Sequence, residues 1–203
     1  MGSLTQLQRS IVIGSLLGDG YLRIVPGRRD ALLEINHSFS QKEYVDWKYG
    51  MLHTICRSGP KMRHGNGSRL AYRFNTRQMP ELTELHGMFY TDGKKNVPSN
   101  VQLNPIMLAV WFMDDGSMCS VDNVYLNTQQ FDTDGQEKCR RMLSRMGIET
   151  TLNRDKTYWR VRLRKSSLPK LYDVVSPHVI PSMKYKLSYN PVETRSRERS
   201  RQH

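Results

Sequence analysis

The chain has 203 residues, and 31 Lys+Arg against 19 Asp+Glu give it a formal net charge of +12. Its length fits one large domain or two of about 100 residues each. The sequence contains no apolar stretch of about 18 residues and no signal-peptide pattern at its start, so we expect neither a membrane span nor secretion. The three cysteines form no CxxC or Cys/His spacing, which argues against a zinc site or a disulfide framework. The basic excess favours a polyanionic partner, most often nucleic acid.

The predicted elements of the first half begin with a buried apolar helix over residues 5–17, which Asp19 and Gly20 end. Alternating polar and apolar residues, bounded by turn sequences, then predict strands at 21–25, 32–39 and 70–74. Helical spacing predicts further helices at 41–56 and 79–88.

The predicted elements of the second half follow in the same order, with a helix at 105–113, strands at 124–131, 149–153 and 158–163, and helices at 134–146 and 168–175. Pro105 suits the first helical position, because its missing N–H would be unpaired there anyway. Arg160, Arg162 and Arg164 alternate with Val161 and Leu163, so one face of that strand packs and the other is cationic. Each half is therefore predicted to be helix, hairpin, helix, hairpin, helix, which is an α+β unit.

Several landmarks recur in both halves, in the same order and at a nearly constant offset. They pair Asp19 with Asp115, Asn36 with Asn127, Met51 with Met142, and Lys95 with Lys186. We interpret this as a tandem duplication with an internal pseudo-twofold axis. The predicted domains are residues 1–98 and 99–192, and the basic tail 193–203 is expected to be disordered because it has no apolar residue.

A carboxylate follows each apolar helix of the repeat. An acid near the C-terminal end of a helix meets the negative pole of the helix dipole, which costs about 0.3–1 kcal/mol. A single Asp-Gly is explained by an ordinary helix stop, whereas Asp19 and Asp115 at equivalent repeat positions favour a shared divalent metal site. Mg²⁺ prefers carboxylate and carbonyl oxygens, and two such ions can stabilise the attacking and leaving oxygens of a phosphoryl displacement.

Residues 12–20 (VIGSLLGDG) and 108–116 (LAVWFMDDG) resemble the two motifs of a LAGLIDADG homing endonuclease of the single-chain, intron-encoded type. The sequences around Trp111, Gln129 and Tyr185 strengthen this resemblance, which covers about residues 5–190. The chain departs from the motif at Val110, where the family often has glycine. We therefore expect the contact between the two helices to be looser there, although Gly14 keeps the small residue in the first copy.

The resemblance implies two pseudo-symmetric αββαββα units, with the motif helices at the central interface and two antiparallel sheets forming a saddle over DNA. It implies that Asp19 and Asp115 each bind Mg²⁺ and that a backbone carbonyl at Gly18 or Asp114 completes the metal shell. Mn²⁺ is expected to substitute for Mg²⁺, and Ca²⁺ to bind without supporting efficient cleavage. Each acid would serve the cutting of one strand, leaving a double-strand break with 3′ overhangs.

Three further residues match polar positions of the family's active site. Lys95 and Lys186 match its peripheral lysines, and an ammonium there can offset charge that develops on a scissile phosphate or hold a water molecule. Gln129 matches a position that organises water. Its first-half counterpart is Ser38, so the two strands are predicted to be cut at unequal rates.

Base-reading residues are expected on the sheet faces, because Arg pairs with guanine and Asn with adenine in the major groove. The candidates are Arg23, Arg28, Arg29, Asn36, Arg69, Arg73, Asn75, Arg77, Asn127, Arg154, Arg160, Arg162 and Arg164. Lys61 and Arg63 are expected to meet phosphates instead. No histidine is predicted to act as a catalytic base.

The sequence leaves three functions open. The first is a monomeric, Mg²⁺-dependent endonuclease that cuts a long double-stranded DNA site. The second is an intron RNA maturase or a DNA-binding relative that does not cut, and the third is a basic structural protein of a ribonucleoprotein. The expected compartment is an organelle (chloroplast or mitochondrion) or the cytoplasm of a prokaryote.

Overall fold

The computed structural model describes residues 3–65 and 69–187, so the predicted tail at 193–203 lies outside the described residues. The first half contains helices α1 (Gln6–Leu17), α2 (Lys42–Leu52) and α3 (Pro80–Phe89), and strands β1 (Tyr21–Ile24), β2 (Ala31–Ser38), β3 (Lys61–His64) and β4 (Leu70–Asn75). These four strands form an antiparallel sheet in the order β1-β2-β4-β3. A short hairpin of β5 (Tyr90–Thr91) and β6 (Lys94–Lys95) follows α3.

The second half repeats the first. It contains helices α4 (Pro105–Asp115), α5 (Thr133–Ser144) and α6 (Leu168–Val175), and strands β7 (Gly116–Ser120), β8 (Asn123–Leu126), β9 (Thr150–Asp155) and β10 (Tyr158–Leu163). Its antiparallel sheet has the order β7-β8-β10-β9, which is the order of the first sheet. The predicted α+β class with two αββαββα units is therefore confirmed, while the domain boundaries at 98 and 192 remain predictions.

Three details differ from the expected elements. Strand β3 was missed because all four of its residues are exposed and show no alternation. Strand β7 was missed because it begins directly at Gly116 and is made of small and polar residues. The strand predicted at 124–131 ends at Leu126, since the N–H of Phe131 donates to the carbonyl of Thr128 and closes a turn instead.

The centre of the molecule is the contact between α1 and α4. Both helices are buried around almost their whole circumference, which is why their sequences are apolar without a polar face. Thr5 caps α1 in a capping box with Gln8, and Asn104 caps α4 by accepting from the N–H of Met107 at 2.9 Å. The Asn104 amide also donates to the Ser10 hydroxyl at 2.8 Å, which ties the two helix starts together.

The helix pair is close at the position where looser packing was expected. A Cβ on Gly14 would lie 2.6 Å from the Met107 carbonyl oxygen and 2.8 Å from the Val110 Cβ. A Cβ on Gly18 would lie 2.4 Å from the Asp114 Cβ. The expectation at Val110 was wrong, because the missing side chain of Gly14 leaves the space that Val110 fills.

The remaining helices cover one face of each sheet. In the first half α2 and α3 pack on β2, and in the second half α5 packs on β9 and β10. Within residues 3–65 and 69–187, the helices are too short or too polar to cross a membrane. The opposite faces of the two sheets remain exposed at their polar positions.

Candidate functional site

The two predicted acids lie at the ends of the central helices, in different backbone settings. Asp115 is the last residue of α4, whereas α1 ends at Leu17 and Asp19 follows the non-helical Gly18. The side chain of Asp19 is half exposed. Oδ2 of Asp115 is buried and has no hydrogen-bond partner among the described residues. The centre therefore holds one accessible carboxylate and one buried carboxylate oxygen without a donor.

The electrostatics of these acids show that they share one environment. Burial raises the pKa of Asp115 well above 3.8, and the negative charges of Asp19 and Asp114 raise it further. The pKa of Asp19 is raised by partial burial and then by the charge of Asp114. Carboxylates that repel one another in this way are relieved by a cation bound between them.

The two predicted lysines occupy equivalent places beside these acids. The ammonium of Lys95 donates to the carbonyl oxygens of Gly18 at 2.7 Å and Gly20 at 2.9 Å. The buried ammonium of Lys186 donates to the carbonyl oxygen of Asp114 at 2.7 Å. Each lysine thus binds the carbonyl that precedes the acid of its own half. Burial lowers the pKa of Lys95 to about 8, although the carboxylates of Asp115, Asp114 and Asp19 act in the opposite direction.

Different local structures hold the two lysines. Lys95 lies on β6, opposite Tyr90, in the hairpin whose turn is Asp92-Gly93. Both turn residues have positive φ, at 50° and 73°, and Asp-Gly is a sequence that adopts this turn readily. Lys186 lies in the 3₁₀ segment Pro181–Leu187. The hairpin was not predicted from the sequence, and it is what directs Lys95 to the end of α1.

The Asp114 side chain makes a separate, fully buried set of contacts. The Lys48 ammonium donates to its Oδ1 at 2.8 Å and its Oδ2 at 3.0 Å, and the Tyr44 hydroxyl donates to Oδ1 at 2.8 Å. The backbone N–H of Asp19 donates to Oδ2 at 3.3 Å. Burial acts to raise the pKa of Asp114, but the charges of Lys48 and His37 and the hydrogen bonds from Lys48 and Tyr44 together outweigh it and hold the pKa below 3.8.

His37 on β2 completes the buried surroundings of the acids. Its Nδ1 lies 3.6 Å from Oδ2 of Asp19, and its Nε2 lies 3.7 Å from Oδ1 of Asp114. Burial first, and then the charge of Lys48, lowers the pKa of His37 to about 4, so the ring is neutral at pH 7. Ligand atoms of Asp19, His37 and Asp114 all lie within 4.8 Å of one another.

Gln129 was the glutamine predicted at the active site, but the described contacts there are made by the next residue, Gln130. Gln129 lies half-buried in the turn after β8. Its neighbour Gln130 donates to the Gly18 carbonyl at 3.3 Å, and its Oε1 lies 3.4 Å from the Lys95 ammonium. The water-organising role of Gln129 therefore stays a prediction, and Gln130 is the glutamine that contacts the carbonyl end of α1.

The residues at the centre fit a hard divalent cation. Asp115 offers a buried oxygen without a donor among the described residues, and Asp19 offers a half-exposed carboxylate. The Gly18 carbonyl directly precedes Asp19 and accepts from Lys95. All of these donors are oxygens, which is the preference of Mg²⁺ and Ca²⁺. The Asp114 carboxylate differs, because Lys48, Tyr44 and the Asp19 N–H already engage it. The Asp114 carbonyl, which is the oxygen predicted for the metal shell, accepts from the Lys186 ammonium.

The exposed face of the first sheet carries several predicted base-reading residues. Residues paired directly across antiparallel strands share a face, and Asn36 pairs with Arg73, which pairs with Lys61. Glu34 lies on this face and ties two arginines together: its carboxylate is 3.6 Å from Arg23 and 3.7 Å from Arg73. Asn75 pairs with Glu34 and belongs to the same surface.

The second sheet presents the predicted cationic face. Arg160 pairs with Asn153, and Arg162 pairs with Thr151 and Tyr125, so their side chains share the face opposite Val161. The Arg160 guanidinium lies over the Tyr125 ring at 3.9 Å and is 3.6 Å from Asp155. Neighbouring side chains thus hold the Arg160 guanidinium in place.

The other predicted DNA-binding residues lie around or away from these faces. Arg28 and Arg29 are in the exposed turn between β1 and β2, Arg69 precedes β4, and Arg164 follows β10. The N–H of Asn127 donates to the Asp115 carbonyl at 3.0 Å, so Asn127 lies beside the acidic centre. Two candidates point elsewhere: Arg77 donates to the Thr54 carbonyl, and Arg154 pairs with Trp159 on the face opposite Arg160.

Sequence reasoning missed Lys48, Tyr44, His37 and Gln130. For the first two a signal was available, because Tyr44, Lys48 and Leu52 are spaced four apart on the buried side of α2. A lysine in the apolar stripe of a helix indicates a buried ion pair. Nothing in the sequence identified Asp114 as its partner, since the two residues lie in different halves of the chain.

Comparison with known proteins agrees with this arrangement. A sequence model described as the LAGLIDADG DNA endonuclease family matches residues 9–171, which include most of α1, all of α4 and both four-stranded sheets. The chain belongs to the LAGLIDADG DNA endonuclease family. The predicted family is therefore confirmed.

Relatives of this LAGLIDADG chain have several names. It is 34% identical to "Protein RecA" of Mycobacterium gastri over 91% of the chain and 48% of that protein. It is 28% identical to "Cytochrome b mRNA maturase bI2" of Debaryomyces hansenii over 87% of the chain and 72% of that protein. It is 28% identical to "DNA endonuclease I-ChuI" of Chlamydomonas applanata over 92% of the chain and 96% of that protein. The chain thus spans about half the length of the RecA relative.

Solved structures of LAGLIDADG proteins share the fold. The homing endonuclease I-WcaI bound to its DNA recognition sequence has a TM-score of 0.85 and 24% identity, covering 94% of this chain and 89% of that one. I-DmoI in complex with DNA and Ca has a TM-score of 0.58 and 13% identity, covering 90% and 98%. I-DmoI with DNA and Mn has a TM-score of 0.55 and 12% identity, covering 86% and 98%.

Proposed function

We propose that this chain is a site-specific endonuclease that cuts both strands of a long double-stranded DNA site, using Mg²⁺ and leaving 3′ overhangs. The observation that carries the proposal is the pair Asp19 and Asp115. The two acids lie together at the end of the central helix pair, with raised pKa values and one buried oxygen without a donor. Cationic sheet faces belong to the same two halves, so the surface that binds DNA and the acids share one scaffold.

The surroundings of the acids have distinct roles in the proposed reaction. Bound divalent cations would supply charge stabilisation for the attacked phosphate and activate water for attack. Asp19 and Asp115 would hold these cations, with the backbone carbonyls of Gly18 and Asp114 as the further proposed ligands. Lys95 and Lys186 are placed to donate to a phosphate oxygen, because each ammonium already lies at the carbonyl beside an acid. We expect Mn²⁺ to replace Mg²⁺, and Ca²⁺ to bind without efficient cleavage.

The sheets supply the proposed DNA contacts. Arg23, Asn36, Arg73 and Asn75 on the first face, with Arg160 and Arg162 on the second, present the side chains that read guanine and adenine edges. The two halves lie within one chain, so a monomer is expected to bind two half-sites. We propose that it acts in an organelle or in the cytoplasm of a prokaryote.

The decisive experiment is a cleavage selection on a randomised duplex library in Mg²⁺, followed by assays on the recovered site. We expect Asp19→Asn and Asp115→Asn each to abolish double-strand cleavage while the protein still binds the site in Ca²⁺. Asp173→Asn, an exposed acid on α6, is the matched control and should cut like the parent. Full cleavage by either of the first two variants would refute the assignment of these acids.

A maturase activity is the second candidate, and the similarity to cytochrome b mRNA maturase bI2 favours it. Under this alternative the chain would promote splicing of an intron RNA and cut none of the library duplexes. Tight binding to intron RNA without cleavage of any duplex would select this candidate over the endonuclease.

A further inference from the structure

Buried contacts at Asp114 break the pseudo-twofold symmetry of the active centre. The repeat relates Lys48 on α2 to Cys139 on α5, and both side chains are fully buried. It also relates Tyr44 to Gly135, and Asp114 to Gly18. The first half therefore supplies Lys48 and Tyr44 to the Asp114 carboxylate of the second half. At the three positions related to these by the repeat, the chain has a thiol and two glycines.

The asymmetry coincides with a difference in how the two acids are held. Asp115 is a residue of α4, so the helix itself determines its backbone position. Asp19 lies beyond the end of α1, after Gly18 with φ −104° and ψ −130°. The N–H groups of Gly18 and Gly20 on either side of it donate to the Ser15 carbonyl of α1, but the Asp19 N–H does not. The Asp19 N–H instead donates to Oδ2 of Asp114, whose two oxygens are held by Lys48.

We infer that Lys48 is a positioning residue, which holds the backbone of Asp19 through the Asp114 carboxylate. Cleavage of the DNA strand at Asp19 would then depend on this contact, whereas cleavage of the other DNA strand at Asp115 would not. The inference rests on the proposed endonuclease function. Without Lys48, the buried Asp114 carboxylate would lose the group that holds both of its oxygens, and it would turn away from the Asp19 N–H. Tyr44 acts with Lys48, because its hydroxyl bridges Oδ1 of Asp114 and the Val110 carbonyl.

The first test uses metal-free protein and needs no cleavage. Amide hydrogen exchange followed by NMR reports on the Asp19 N–H directly. We expect this amide to be protected in the parent, to exchange faster in Lys48→Met, and to stay protected in the control Cys139→Ala, which alters the equivalent buried position. Unchanged protection of the Asp19 amide in Lys48→Met would overturn the inference.

The second test measures both strand cuts on the duplex recovered by the selection, with a different label on each strand. Lys48→Met should slow one strand by about 100-fold relative to the other, the size of effect expected for a reacting group displaced by about 1 Å. The slowed strand should be the one that Lys95→Met also slows more, since Lys95 binds the Gly18 carbonyl beside Asp19. Loss of folded protein lowers both strand rates equally and leaves their ratio unchanged.

The outcomes separate the inference from the proposed function. A parent that cuts no duplex contradicts the proposed function, whereas a parent that cuts, with an unchanged strand ratio in Lys48→Met, contradicts the inference. If Lys48→Met does not fold, Lys48→Cys combined with Asp114→Gly reproduces the Cys139 and Gly18 of the other half and removes both charges of the buried ion pair. This double variant should show the same loss of Asp19 amide protection and the same change in strand ratio, and a parental result in both assays would refute the inference.

Discussion

Three neighbouring aspartates show how strongly local contacts decide the charge of a side chain. Asp114 is the most deeply buried, yet its pKa is lowered because Lys48 and Tyr44 donate to its oxygens. Asp115 is one residue further along the same helix, and its pKa is raised by burial first and then by the negative charges of Asp19 and Asp114. Its Oδ2 has no donor among the described residues. Asp114 is already paired with the Lys48 ammonium, so its carboxylate serves the packing of the core. Asp115 has an oxygen without a donor, so its carboxylate is suited to bind a metal.

This contrast predicts a pH-dependent effect of metal on stability. The folded pKa of Asp115 exceeds its ordinary value of 3.8, so the protonated carboxyl stabilises the fold fully below pH 3.8, and this contribution is lost as the pH rises through the raised pKa. Bound Ca²⁺ removes the repulsion of the ionised form. We therefore expect Ca²⁺ to raise the Tm at neutral pH, and this increase to shrink as the pH falls through the raised pKa.

The control for this prediction is Asp115→Asn, measured by thermal denaturation with and without Ca²⁺ across the same pH range. The variant should be more stable than the parent in the absence of metal at neutral pH, and Ca²⁺ should raise its Tm much less. An increase in Tm that is equal in parent and variant at every pH would place the Ca²⁺ elsewhere on the protein.

At the scale of elements, the contact between α1 and α4 sets the geometry of the centre. Gly14 faces Val110, and Gly18 faces Asp114, so the helices approach at two successive turns where one partner has no side chain. Asp115 is the last residue of α4, and Asp19 lies two residues beyond the end of α1. A change in the distance between α1 and α4 therefore moves Asp19 relative to Asp115. The residues that determine this distance are therefore part of the site, although they carry no reactive group.

The close approach predicts opposite effects of the same substitution in two helices. Gly14→Ala should lower the free energy of unfolding by about 1–3 kcal/mol, because its Cβ would overlap the Met107 carbonyl and Val110. Gly50→Ala on α2, where a Cβ meets no atom within 4 Å, should raise that free energy by about 0.4–1 kcal/mol through lower chain entropy. In a Val110→Gly background, which removes the Val110 Cβ that lies 2.8 Å from the added Cβ, Gly14→Ala should cost less, as measured by urea denaturation. Equal effects of the two glycine substitutions would contradict the helix contact.

At the scale of the whole molecule, the chain has a net charge of +12, and cationic side chains lie on the faces of both described sheets. The two acids on the sheet faces, Glu34 and Asp155, lie beside arginines and hold their guanidinium groups in place. Such pairing reduces the side-chain freedom that DNA binding would otherwise remove. We therefore propose that the arginines beside these acids read bases, and that exposed cations such as Lys61 and Arg63 contact phosphates.

This division predicts two different effects on DNA affinity, measured by fluorescence anisotropy in Ca²⁺ over a range of salt concentrations. Lys61→Ala and Arg63→Ala should each reduce the salt slope by about 1, since one phosphate contact contributes about 0.9, and should weaken all sequences alike. Arg73→Ala should instead lose about 1–3 kcal/mol of discrimination at one base pair. The control Lys170→Ala, exposed on α6, should change neither quantity. A uniform effect of Arg73→Ala on all sequences would assign this residue to a phosphate.

The sequence alone was sufficient for the repeat, the fold class, the family and the paired acids. Apolar helices, alternating strands and the order of landmarks are local patterns, and Asp19, Asp115, Lys95 and Lys186 lie at repeated positions within them. The patterns failed where local structure has no periodic signature, as in the exposed strand β3 and the hairpin that carries Lys95. They also could not distinguish Gln129 from Gln130, because a turn decides which of two adjacent side chains faces the centre.

Only the tertiary structure decided which residues meet. Lys48 and Asp114 are separated by 66 positions in the chain, and their contact exists because α2 packs against the end of α4. The sequence likewise determined that two acids end two helices, but the difference between an acid held in a helix and one held by a neighbouring carboxylate followed from packing. Periodicity records which face of an element is buried, whereas the partner that a buried polar group finds depends on the assembled core, because desolvation and donor geometry arise only there.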